Sequence, residues 1–473
     1  MAGLLSIGLT GINSSQANLL TTSHNITNAN TPGYNRQTAI ITTNDPQFSG
    51  AGFFGQGSKV DAVRRQYDQF LGQQVLNASA RKEELSAYDA QLGQLDNLLA
   101  DPSAGLAPAL SDFFKGVQDV ATNPASIAAR QALISSGEML ASRFNALDTR
   151  LGEINSLTEG QIAGAVESID AYARQIADMN RQIGAVQVAG PSVQANDLLD
   201  QRNMLVAELN KLVKVSTVTE RDGSLSVFVG SGQALVVGTT ASELAVKPDP
   251  SDPLHSTIEL TTAGGGAVPL PDSLFTGGQL GGLLKFRSEA LDPARDKLDQ
   301  IAFDFASAFN TQHGMGRALN GDARGAFFAL PREVSGAAGA LRVAISDPHT
   351  IAAAAAASGS EPVGRSDNRN ALALAALQTA KSVVTVGSGT ATVGSAYSQL
   401  VSSVGNQARE VQIGLKAQQA QLDQATAAQQ ALSGVNLDEE AANLIRYQQS
   451  YQAAARVMSV AGTLFDEILS IAR

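Results

Sequence analysis

Metal or acid–base chemistry in this chain would have to be built from very few side chains. Histidine occurs four times, at positions 24, 255, 313 and 349, and cysteine not at all. Zinc and iron centres take imidazole or thiolate ligands in paired motifs, and no two of these histidines lie close in sequence. Asp292, Asp296 and Asp299 carry the oxygens a calcium ion takes, but they fall at helical spacing with Arg295 and Lys297 between them. That pattern predicts a solvated helix face. Gly230-Ser231-Gly232 and Gly387-Ser388-Gly389 are too short for a dinucleotide fingerprint and open no helical pattern, so both are expected to be turns. The sequence has no GxSxG elbow, no GxxxxGK(S/T) phosphate loop and no HExxH pair. No catalytic, cofactor or metal residue is assigned, and the reading is of a protein that is not an enzyme.

Composition narrows the class further. At 473 residues the chain is long enough for two to four domains, given ~100–200 residues each. Hydrophobic residues make up 44%, charged residues 16%, and the net charge is -11. Such an acidic chain opposes binding to nucleic acid or to an anionic membrane surface. No apolar run is long enough for a membrane span. The first basic residue is Arg36, so the N-terminus lacks the basic region of a cleaved secretory signal, and composition alone points to the cytoplasm.

What the sequence does repeat is an apolar seam. Leu437, Leu444, Tyr451, Met458 and Phe465 recur every seven residues, and Tyr447, Ala454, Ala461 and Ile468 follow three positions after the last four, the spacing of a helix that packs along one side. Asn436 is placed to cap it, Asp438, Glu439 and Glu440 fall where the helix dipole favours negative charge, and Arg473 closes the other end. At the N-terminus Leu5, Leu9, Ile12, Leu19 and Ile26 follow the same alternation, with Gln16 and Ser23 in the gaps. Chain ends ordinarily fray. Seams at both ends therefore predict partner helices, and these residues are the candidate assembly positions.

Between the ends the period changes several times. The first helix is expected to stop in Asn25-Ile26-Thr27-Asn28-Ala29-Asn30-Thr31-Pro32-Gly33-Tyr34, where Asn and Thr compete for the backbone and Pro32-Gly33 suits a type II turn. Helical spacing is read again from Val60 to Leu99, through Val63, Tyr67 and Leu71, and then over residues 126–186. Asp101-Pro102 marks the break and Gly190-Pro191 the end. At Val213 the period becomes two, with Asp222-Gly223 as a hairpin turn. Helix returns near Leu280, with a kink or restart at Pro293, and Val404 to Leu432 forms another seam.

The fold class that follows is mainly α with β insertions, a multidomain α+β chain: a long helical bundle or coiled-coil rod made from both termini and carrying β-rich outer domains. Residues 1–59 form an inner helix, Asn-rich turn and extended arm. Residues 60–212 are the N-terminal part of the bundle, 213–278 a β-rich insertion expected to face outward and to be dispensable, and 279–312 a bundle helix. Residues 313–395 are a second mixed insertion containing the alanine run Ala352 to Ala357, 396–434 a bundle helix, and 435–473 an inner helix pairing with residues 1–30. An assembly protein is the leading class. The rival, a soluble coiled-coil adaptor, would predict one uninterrupted antiparallel pair.

The run from Ser23 to Tyr34 resembles the N-terminal signature of the axial proteins of the bacterial flagellum, the rod, hook and junction proteins. Gly434-Val435-Asn436-Leu437-Asp438-Glu439-Glu440, followed by Tyr447-Gln448-Gln449-Ser450-Tyr451-Gln452-Ala453, resembles their C-terminal signature. Asp197-Leu198-Leu199-Asp200-Gln201-Arg202, leading into the hairpin of Val213 to Val229, is similar to the members that join hook to filament; another rod- or hook-type axial protein is the alternative. The resemblance implies Asn28, Asn30, Thr31, Pro32, Gly33 and Tyr34 as a family turn motif, and self-association in a helical ring through the terminal helices. It implies hook protein on one side, the next junction protein or filament on the other, and an export chaperone at the C-terminal region. It also implies type III export to the extracellular flagellum without a cleaved signal, and no cofactor.

Overall fold

A helix capped by a carboxylate opens the body of the chain. Asp68 accepts from the backbone N–H of Phe70 and Leu71 at 2.8 and 3.0 Å, satisfying donors that a helix start leaves unpaired. The computed structural model describes residues 2–48, 50, 52–101, 105–187, 195–261, 265–319, 325–355, 364–387 and 389–471. Pro102, Gly190, Pro191, Ala356, Ala357, Ser388 and Arg473 lie outside the described residues. In chain order the helices are α1 (Ala2–Asn28), α2 (Gln69–Ala100), α3 (Leu106–Thr122), α4 (Ile127–Gln187), α5 (Asn196–Leu212), α6 (Gly278–Phe286), α7 (Asp292–Gly314), α8 (Ala337–Ala340), α9 (Arg369–Ala376), α10 (Val393–Ser433) and α11 (Leu437–Ile471).

The helical spacing expected from Val63 through Tyr67 does not hold. Ser58–Arg65 is a strand, paired antiparallel with Gln37–Thr43 across a bulge between Ile40 and Ile41. Cross-strand bonds satisfy its backbone, and helix begins only where Asp68 supplies a cap. These two strands form an arm beside α1.

Two apolar cores are strung along α4, whose 61 residues span about 90 Å at 1.5 Å per residue. The first joins α2, α3, the N-terminal half of α4, α7 and α10. At its centre Phe113, Phe305, Phe309, Phe327 and Phe328 meet edge to face, with centroids 4.9–5.6 Å apart in the pairs that link them, each pair adding to plain burial. Phe327 and Phe328, with Leu341, Ile351 and Leu374, come from the segment read as a second insertion. That segment completes the main core instead.

The second core lies between α5, α6 and the C-terminal half of α4 on one side and two small sheets on the other. One sheet runs in order through Val215–Thr219, Leu225–Val229, Gln233–Val237 and Thr240–Ala241; the other places Ser256–Thr261 between Glu243–Pro248 and Ala267–Leu270. Gly223 turns the first hairpin at φ 78°, and Ser224 N–H and Oγ both donate to Asp222. Because Val227, Val236 and Ile258 pack on Ile169, Ala173 and Ile176 of α4, the sheets are not the dispensable excursion that topology suggested. Removing them would bare one side of α4.

The expected kink at Pro293 is a π-helical turn, Arg287–Leu291, between α6 and α7. A widened turn admits a residue without an N–H. It also turns Arg287 inward, where the 4% exposed residue donates to Glu159 and Asp272 and to the Ser256 carbonyl. The sheet module is thereby bolted to α4. Asp299, expected on a solvated face, is 7% exposed and accepts from the N–H of Gly336 and Ala338, both at 2.8 Å.

His313 is 1% exposed. Its Nδ1 lies 3.1 Å from the Gly325 carbonyl and its Nε2 accepts from Ala352 N–H at 3.0 Å, which fixes a neutral ring protonated on Nδ1. Burial holds its pKa below the ordinary 6.5, the Gly325 bond opposes this, and the Arg130 charge adds to it. A depressed native value means the unfolded chain binds the extra proton, so this stability is complete above pH ~6.5 and declines as pH falls from there towards the native value. The expected slope of unfolding free energy between pH 7 and 5 includes up to about 1.4 kcal/mol per pH unit from this one site. His313→Gln removes that part of the slope in urea melts; an unchanged slope would show that the ring does not report folding.

Candidate assembly interface

The terminal signatures meet in one polar hub. Asn25, near the end of α1 and 1% exposed, donates to the Gln37 carbonyl at 2.8 Å and to Glu440 Oε2 at 3.2 Å. Its Oδ1 accepts from Gln37 N–H at 2.9 Å and from the Tyr34 hydroxyl at 2.7 Å. Glu440, in the first turn of α11 and also 1% exposed, takes Arg36 Nε at 2.7 Å, while both Arg36 Nη atoms reach Glu439 at 2.6 and 3.1 Å. Arg36 N–H donates to the Ser433 carbonyl, the last residue of α10. Burial works against the Arg36 charge, but the hydrogen bonds to Glu439 and the charge of Glu440 outweigh it and raise its pKa. Burial first, then Asp197, Asp200 and Glu440, push the Tyr34 phenol well above its ordinary range, so it stays a donor.

The turn before Arg36 is built as its residues require. Tyr34 N–H returns to the Thr31 carbonyl at 3.2 Å, and Gly33 stands at φ 78°, the left-handed position that glycine fills in a type II turn. Asn35 then donates twice to Asp200 of α5, at 3.0 and 2.6 Å, where Arg65 joins at 2.8 Å. Gln37 reaches Asp197 at 2.8 Å, and Arg202 ties α5 to Asn180 of α4 and to the Gly223 carbonyl. The Asp197 to Arg202 motif is thus the socket for the turn.

Below the hub α1 and α11 run antiparallel, with Asn25 at Glu440 and Gly8 at Met458. They approach on small residues. A Cβ at Gly8 would stand 2.8 Å from Met458 Cγ, and one at Gly11 would stand 3.3 Å from Ala454 Cβ; Ala461 is 2% exposed. The arm lies along α1, with Ser58 Oγ 2.9 Å from Ser14 Oγ. Asn436 caps α11 through Asp438 and Glu439 N–H.

The seam residues divide between two settings. Leu5, Ile12, Leu19, Ile26, Leu444, Tyr447 and Met458 are half-buried, whereas Leu9, Leu437, Tyr451, Phe465 and Ile468 are exposed. In the turn motif Asn28 and Tyr34 are half-buried, and Asn30, Thr31, Pro32 and Gly33 are exposed. A second outward stripe, Leu4, Ile7, Leu20, Ile445, Val457, Val460 and Leu464, was missed by a sevenfold reading; the glycines opposite Met458 and Ala454 were the signal for which side the pair would use. The histidines are dispersed: His24 lies edge-on to Tyr34, His255 between Asp252 and Asp292, and His349 beside Asp347.

Removing Asn25 leaves buried donors and acceptors unmet on three elements, at about 1–3 kcal/mol. In Asn25→Ala, amide exchange in α1 and α11 is expected to accelerate about tenfold or more while α3 and α7 are unchanged. Equal acceleration everywhere would mean that the hub belongs to the global core.

Comparison with known proteins follows the same division of the chain. The family model described as the flagellar hook-associated protein FlgK helical domain matches residues 92–328, and that of the flagellar basal body rod FlgEFG protein C-terminal region matches residues 428–471. Flagellar hook-associated protein 1 of Escherichia coli (strain K12) is 33% identical with both chains covered in full. Its counterpart in Bacillus subtilis (strain 168) is 28% identical over 97% of this chain and 96% of that one. A solved structure, the flagellar hook junction protein FlgK from Burkholderia pseudomallei, superposes with a TM-score of 0.68 at 25% identity, covering 76% of this chain and 100% of that chain. A sequence that aligns with such relatives from end to end, and shares their helical body, belongs to the flagellar hook-associated protein 1 family and is a structural component of the flagellum.

Proposed function

We propose that this chain joins hook to filament, entering a helical ring of its own copies through the α1–α11 hairpin, with hook protein on one side and the next junction protein or filament on the other. The observation that supports this is apolar surface without a partner. Leu4, Ile7, Leu9 and Leu20 on α1, and Ile445, Val457, Val460, Leu464, Phe465 and Ile468 on α11, are 38–65% exposed. Soluble monomers rarely leave such stripes uncovered unless they are contact surfaces. Leu444, Tyr447 and Met458 hold the pair together, and the outward stripe meets neighbouring subunits. Before assembly the same stripe suits an export chaperone at the C-terminal region. Export proceeds to the cell exterior without a cleaved signal.

Val460→Asp and Ile445→Asp separate assembly from folding, since each side chain already faces solvent. Both variants are expected to melt within about 0.5 kcal/mol of the parent, yet to fail to enter the junction, because assembly would bury an unpaired carboxylate. Motility and electron microscopy of filament attachment read the outcome. Normal filaments on cells exporting either variant would overturn the interface.

The hairpin is also expected to be the least protected helical part of the isolated chain. Among the described residues, Ala461 is the apolar side chain of α11 that reaches the buried class, and α1 contributes none. Packing, not propensity, holds most helices. Hydrogen exchange on a verified monomer is expected to be fast in residues 2–28 and 441–471 and slow in α3 and α7; slow exchange throughout would refute a hairpin completed by assembly.

A further inference from the structure

The arm beside α1 ends in a small hairpin in which Gln47 and Phe48 pair with Phe54 and Phe53. Its three phenyl rings are 58–73% exposed, with Phe48 and Phe53 centroids 5.3 Å apart. The root of the arm rests on α1, where Ser58 N–H donates to Thr10, while its other end lies at Asn25. The aromatic tip therefore projects at the N-terminal end of α1. At the opposite end, about 30 Å away at 1.5 Å per residue, a cleft of about 1160 Å³ opens between the Thr31 to Arg36 turn, α2, α5 and the α10–α11 connection.

The walls of this cleft are apolar at Val75, Leu76, Met204 and Leu432, and polar at Arg202 and Asn203. Arg202 is 3% exposed, and its recorded bonds go to an amide and a backbone carbonyl. Its Nε, like Asn203 Nδ2, finds no acceptor among the described residues. Burial brings its pKa down to about 10, with Arg65 adding to the effect. A buried guanidinium without a counter-charge is costly, so the cleft lacks an acid and an acceptor. Its volume exceeds the ~300–1,000 Å³ usual for a small-molecule site and suits a turn of peptide.

We propose that the aromatic tip of one copy seats in this cleft on the next copy, with the phenyl rings against Met204, Leu432 and Val75 and Asp45 brought to Arg202. Asp45 is exposed and is the one charged residue between Arg36 and Lys59, so the tip carries the acid that the cleft lacks beside the rings that its apolar wall accepts. Tip and cleft occupy opposite ends of the same hairpin. A contact between unlike surfaces is head to tail, and it propagates along a helical array instead of closing a symmetric pair. This rests on the reading of the chain as a self-associating junction subunit and names one contact for it.

The chain has no cysteine, which gives a clean background for cross-linking. Phe53→Cys in one tagged copy and Met204→Cys in a second, both at exposed positions, are co-expressed in cells lacking any other copy, and the isolated hook–filament material is oxidised. The expected product is a disulfide-linked dimer carrying both tags. Dimers of the Phe53→Cys copy with itself, linkage solely to another flagellar subunit, or no linkage would overturn the contact. Asp45→Lys is expected to lower the yield at least fivefold and Asp61→Lys, on the strand of the arm, to leave it unchanged; equal yields would remove the pairing with Arg202. Immunolabelling of hook ends reads the junction role separately. Label at the hook ends without the mixed dimer sinks the contact alone, and the mixed dimer in material away from the hook ends sinks the junction reading alone.

Discussion

A carboxylate buried among helices is tolerated only when every oxygen has a donor, and Glu440 meets that condition with groups from two other elements. Asn25 comes from α1 and Arg36 from the chain leaving the turn, while Arg36 also fixes the end of α10 through the Ser433 carbonyl. No one of these elements can shift without stranding charge in an apolar setting. The direction in which the terminal hairpin leaves the body is therefore set electrostatically, at a site where apolar packing contributes little. Asp200 does the same for the turn, holding Asn35 and Arg65 from the α5 side.

That arrangement divides the molecule into parts with different sources of stability. The two cores along α4 hold themselves together by ordinary burial, with aromatic contacts in one and a sheet-on-helix layer in the other. The hairpin instead brings Gly8 and Gly11 against Met458 and Ala454, so its backbones approach closely while its large side chains point away. Little apolar area is removed from water inside one chain. Binding that covers the outward stripe then adds stability by mass action, which makes order in the hairpin depend on the presence of neighbours.

Much of this was legible in the sequence, and the gaps have physical reasons. The seams at Leu437 to Phe465 and Leu5 to Ile26, the stop at Pro32-Gly33 and the cap at Asn436 are local patterns, and local chemistry decides them. Val63 was misassigned because a helical spacing of three apolar residues also fits a strand followed by a turn, and only the cap at Asp68 separates the two. Phe327 and Phe328 gave no periodic signal, since two adjacent aromatics on a short strand show neither a helical nor an alternating pattern. Asp299 looked like a surface acid because its partners, the N–H groups of Gly336 and Ala338, are backbone atoms that side-chain spacing cannot reveal. The hub was the least legible feature. Its three motifs were each visible, but nothing in a one-dimensional pattern states that residues 25, 36, 200 and 440 share one site.

The continuity of α4 bears on how such a subunit holds two other assemblies together. Both cores are built on the same helix, and Arg287 locks the sheet module to Glu159 near its middle. Sliding one core past the other would require breaking i to i−4 hydrogen bonds within a helix packed on several sides, as well as a buried ion pair. Changing the angle of the terminal hairpin disturbs fewer groups, those around Asn25, Arg36 and Glu440. Compliance is thus concentrated at the hub, where polar contacts can be exchanged one at a time, and stiffness is placed in the body. A joint between two structures of different kind needs that order: a rigid frame to fix spacing and a polar hinge to accept a change of angle.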